Sequence, residues 1–139
     1  MALHLSLTPE EADALKQIEQ RLSKRARYEL TLNRLLQQWR ALVTQVEQGY
    51  QDSIYEYTND LSARDLLEEI LQEVPPSLRE QVASWLRPWD ARFDRATEKL
   101  DRPILANLEP AAAAWWWFRV PKKLGKELDD DLRAEGLRR

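Results

Sequence analysis

Glu68, Glu69 and Glu73 stand close enough in the chain to share one helix, and Glu69 and Glu73, four residues apart, would then face the same way. Carboxylates so arranged can hold a hard divalent cation such as Mg²⁺, which takes oxygen ligands, and with it metal-assisted hydrolysis. Asp90 and Asp94 offer further oxygens at the same spacing. Other catalytic chemistry is poorly supplied. The single histidine, His4, has no second histidine to join, so neither a histidine metal site nor a Ser-His-Asp relay assembles without folding the leading end into a pocket. The absence of cysteine removes thiolate ligands, disulfides and a cysteine nucleophile, and fits a reducing compartment, with the cytoplasm as the expected location. Gly49, Gly125 and Gly136 lie too far apart for any glycine-rich phosphate loop. No cofactor is expected.

The glutamates belong to a larger acidic block. Between Tyr50 and Glu80 the chain carries eight carboxylates against two arginines, a net of −6 within a chain whose formal charge is −3, so the remainder is mildly basic. Tyr50, Tyr55 and Tyr57 sit at the leading end of the block among Asp52, Glu56, Asp60 and Asp65. Tyrosine supplies rigid contact area and carboxylates steer a cationic partner, so these seven residues are the expected surface for a basic protein. In surface chemistry, though in no motif, the combination is similar to that of bacterial immunity proteins and antitoxins, and it implies a small non-catalytic inhibitor acting by occlusion. Solvated faces of two helices would carry the same charges without any partner.

Two alternatives stand beside that reading. The run Glu68 to Glu73 resembles the E-E-x-x-E pattern of all-helical nucleotide pyrophosphohydrolases, with one residue too many and no later E-x-x-D partner of the right type on a neighbouring helix; the resemblance implies a metal held by Glu69 and Glu73. A structural homodimer without intrinsic activity is the other, formed through the first helix or through Trp115-Trp116-Trp117-Phe118, whose four successive rings cannot all face one way on a helix. Nucleic acid is not an expected partner: Lys24, Arg25 and Arg27, and separately Lys122, Lys123 and Lys126, make two small patches in a chain of pI 5.3. Arginines of the first helix are better placed to face the acidic helix and hold it. No apolar stretch approaches the length of a membrane span, and no signal peptide is evident.

The elements that must position these residues are helices. At 139 residues with few glycines, the chain suits a single all-α bundle over 1–139, with a flexible leader at 1–7 and a charged, fraying tail at 121–139. Thr8, Pro9, Glu10 and Glu11 form a strong helix start. From there Leu15, Ile18, Leu22, Leu32, Leu36, Trp39, Val43 and Val46 keep one seven-residue frame, which predicts a single long helix closed by Gly49, with Ser23 to Arg27 the place for a break or bend. A loop is expected over 50–60, a helix from Ala63 behind a capping box of Ser62 and Asp65, another from Pro76, and another starting at Pro88. A short helix is expected at Lys126 to Ala134.

Overall fold

The computed structural model describes residues 5–105, 109–111 and 113–137. His4 lies outside them. Helix α1 spans Pro9–Ala26 and begins as expected: Thr8 Oγ1 accepts from the Glu11 amide at 3.1 Å while the Glu11 carboxylate accepts from the Thr8 amide at 2.9 Å. Its buried stripe is Leu15, Ile18 and Leu22.

The long first helix is two helices. α1 ends at Arg27, which takes the left-handed conformation (φ 65°), and α2 starts afresh over Leu32–Gln48 with Thr31 as its N-cap. The corner is held by polar side chains. Ser23 Oγ donates to the Leu30 carbonyl at 3.0 Å and accepts from its amide at 2.8 Å, and Glu19 accepts from the Leu32 amide at 2.7 Å. Arg25 and Glu29 fall where the apolar frame is empty, so a straight helix would gain no burial there, whereas the turn lets α2 bury Leu32, Leu35, Leu36, Trp39, Leu42, Val43 and Val46. Both stripes pack within the chain.

Gly49 closes α2 at φ 120°, a conformation that side chains rarely adopt. A Cβ there would have room, with Gln51 Nε2 at 3.4 Å, so the strain is in the backbone. Gly49→Ala is expected to lower stability by about 1–3 kcal/mol, read as the urea midpoint.

The largest departure from expectation is α3, Ile54–Glu73, which runs through the segment expected to be a loop. Ser53, not Ser62, is its N-cap, accepting from the Glu56 amide at 3.2 Å; Ser62 lies mid-helix, its hydroxyl donating to the Asn59 carbonyl. α3 touches α1, α2, α4, α5 and the Trp115–Phe118 turn, and it buries Tyr57, Thr58, Leu61, Ala63, Arg64, Leu67, Ile70 and Leu71 over a broad face. Because polar Tyr57, Thr58 and Arg64 turn inward along with the apolar residues, the polar and apolar faces are mixed and the helical periodicity is weak.

α4 spans Pro76–Arg95 without a new start at Pro88, whose ring sits on the exposed side where water can meet the carbonyl that loses its amide partner. The chain then forms an antiparallel pair, β1 (Thr97–Lys99) with β2 (Arg119–Pro121), registered Thr97 to Pro121. Trp115–Phe118 is a short 3₁₀ turn leading into β2, and α5 is Lys126–Ala134. The expected leader and tail are both tied down where described. Ser6 and Gln81 exchange two 2.9 Å hydrogen bonds, and α5 buries Leu128 and Leu132 against the core. The result is an all-α bundle around one hydrophobic core, with a single two-stranded sheet among the described residues. No described helix is long and apolar enough to cross a membrane.

Candidate functional site

The acidic block divides in two. In its second half every glutamate meets an arginine: Glu69 accepts two bonds from Arg25 at 2.8 and 3.1 Å, Glu73 pairs with Arg21, Glu68 with Arg64 at 3.2 Å and Glu80 with Arg87 at 2.8 Å. Arg21 and Arg25 come from α1, so the basic stretch of that helix does face the acidic one. Glu69 and Glu73 thus each hold a guanidinium, and Asp90 and Asp94 are engaged with Arg64 and Arg119. Among the described residues no group of three or more ligating side chains is arranged to take a metal ion.

Asp65 serves the interior. Its carboxylate accepts the indole N–H of Trp116 at 2.7 Å and of Trp117 at 2.9 Å, which brings both rings under cover. Trp116 and Trp117 are buried, while Trp115 and Phe118 are half-buried and line a cleft of about 430 Å³ with Asp94, Lys99 and Arg119. Beside Asp65, Arg64 donates to both oxygens of Asp90 (3.1 and 2.8 Å), and its guanidinium carbon stands 4.6 Å from the centre of the Trp116 ring. Trp39 donates to the same Asp90 at 3.0 Å.

The first half of the block is different. Tyr50 and Tyr57 are fully buried, packed edge to face with centroids 5.2 Å apart, and each spends its hydroxyl within the fold: Tyr50 on Asp60 at 3.0 Å, Tyr57 on the Arg119 carbonyl at 2.8 Å. Neither offers a ring face to a partner. Burial holds both phenols far above their ordinary pKa. Tyr55, by contrast, is 75% exposed. Asp52 and Glu56 are exposed and make no ion pair among the described residues, and Asp60 is half-buried with the Tyr50 hydroxyl as its neutral partner. Burial raises the pKa of Asp60, the Tyr50 bond pulls it back, and the negative fields of Glu56 and Asp52 push it up again. Of the seven residues expected on a partner surface, Asp52, Tyr55, Glu56 and Asp60 lie at the start of α3, Tyr50 and Tyr57 pack beneath Asp60, and Asp65 anchors Trp116 and Trp117 instead.

The sequence reading missed Arg64 and Asp90 as a linked pair, because no local pattern connects residues on two different helices. Comparison with known proteins leaves the site to stand on its geometry: no protein-family model, no curated protein and no solved structure matches this chain.

Proposed function

We propose that this protein is a non-catalytic helical binding module that captures a basic protein partner through Asp52, Tyr55, Glu56 and Asp60, in the manner of a small immunity- or antitoxin-like inhibitor. The observation that carries the reading is the contrast within the acidic block. The four glutamates of its second half each pair with an arginine, whereas the three carboxylates of its first half, around exposed Tyr55, make no ion pair among the described residues. The Asp60 carboxyl, its pKa pushed up first by burial and then by the fields of Glu56 and Asp52, opposes folding in its charged form. A carboxyl whose folded pKa is raised holds its proton to a higher pH than in the unfolded chain, so its contribution to stability is lost as pH rises from 3.8 through the folded value. Charge kept at a cost in stability is characteristic of surfaces used for binding. A cationic partner would relieve the repulsion, and its encounter would be steered by the same field.

Joint Asp52→Asn, Glu56→Gln and Asp60→Asn substitution is expected to raise the thermal midpoint at pH 7 and to weaken partner binding by about ten- to a hundred-fold. Affinity capture from the host with wild-type and triple-variant protein, at low and moderate salt, makes the comparison. A basic partner held by wild type, released by salt and missed by the triple variant is the expected result. Equal capture by both proteins, indifferent to salt, would sink the reading.

A further inference from the structure

We infer that the cleft between the C-terminal ends of α2 and α4 is an anion site that takes a phosphate-bearing small molecule, held by Arg92, Arg95, Lys122 and Lys123. The cleft encloses about 230 Å³, the size for a small anion rather than a large ligand, and has Val46 and Ala96 as its apolar lining. A neighbouring cleft of about 480 Å³ shares Lys122 and Lys123 and is further lined by Lys126, paired with Asp130, and by Asp129, so it offers room beside the phosphate without adding net positive charge.

Three features set this patch apart from ordinary surface lysines. The two lysines are carried on backbone fixed from both sides: the Lys122 amide donates to the Ala96 carbonyl at 3.0 Å, and the Lys123 carbonyl accepts from the Tyr50 amide at 2.9 Å. Arg92 is pre-oriented, its fork gripping Glu47 at 2.9 and 2.5 Å while its guanidinium carbon lies 4.3 Å from the centre of the Trp89 ring. Arg95, Lys122 and Lys123 make no ion pair among the described residues.

The competing explanation is that these cations only answer the negative ends of two helices. The charges decide against it. Four cations face the Glu47 carboxylate and two helix C-termini of about −0.5 each, which leaves a surplus of about +2. That surplus matches a phosphate dianion. It is also placed in a chain that is acidic overall, so it is not a by-product of general basicity.

The test is calorimetric titration of the full chain with pyrophosphate and with orthophosphate at fixed ionic strength. Stoichiometric binding, tighter for pyrophosphate, is expected for the wild type, with a loss of about ten-fold or more in Arg95→Gln/Lys122→Gln/Lys123→Gln. All three side chains are exposed, so this variant should keep the wild-type circular dichroism spectrum. The charge-matched Lys16→Gln/Lys24→Gln/Arg34→Gln protein, altered at exposed positions of α1 and α2, should retain wild-type affinity. Equal weakening in both variants, or no heat with the wild type, overturns the site. A single-stranded oligonucleotide that binds tighter than pyrophosphate, with a steep salt dependence, overturns the small-molecule assignment in favour of a polymer backbone.

Discussion

Arg64→Ala is expected to destabilise the protein by about 3–5 kcal/mol, the cost of removing one partner from a buried ion pair. The side chain is 6% exposed, donates three hydrogen bonds to Asp90 and Glu68, and lies against the Trp116 ring. Truncation would leave the Asp90 carboxylate, itself only 20% exposed, with the Trp39 indole as its remaining partner, and would open a void beside two tryptophans. Arg64→Lys should recover little, since a single ammonium cannot bridge both Asp90 oxygens and present a flat face to a ring. Urea unfolding followed by tryptophan fluorescence measures both variants; a midpoint for Arg64→Ala close to wild type would show that the network is not what joins α3 to α4.

Asp65→Ala is expected to cost about 3 kcal/mol, because it leaves two buried indole N–H groups without an acceptor. Asp65→Asn keeps one carbonyl oxygen with two lone pairs, so it should lose about 1 kcal/mol. The pair of variants separates hydrogen bonding from charge. Were Asp65 a partner-contacting residue instead, both substitutions would change binding and leave the fluorescence of the native state untouched. Here the native emission itself should shift in Asp65→Ala, as Trp116 and Trp117 lose their anchor.

These two residues also show where the sequence was legible. Ends and one-sided faces were readable: Thr8 to Glu11, the apolar face of α2, Gly49, the start at Pro76 and the helix at Lys126 to Ala134 all follow from local rules. What could not be read is whatever depends on being surrounded. α3 carries Tyr57, Thr58 and Arg64 inward along with its leucines, so its pattern looks irregular, and Ser62 with Asp65 imitates a cap that the true start at Ser53 makes unnecessary. The break after Ala26 depends on Ser23 and Glu19 reaching across the turn, and β1 and β2 meet over a long connection that needs no glycine turn. For the site the same division holds. Composition singled out the acidic and tyrosine-rich segment, but the choice of which tyrosine faces solvent lies with Tyr50 and Tyr57 packing on each other and on Arg119.

The central position of α3 has a consequence for how the chain is made. When synthesis has reached Arg95, all four long helices exist, yet Tyr57 still lacks the Arg119 carbonyl, Asp65 lacks both indoles, and the Ile54 amide lacks the Asp131 carboxylate that accepts from it at 3.0 Å. The segment made after α4 is the part that seals the middle of the bundle. Until residues 115–131 have been made, α3 therefore lacks these partners and the middle of the bundle stays unsealed.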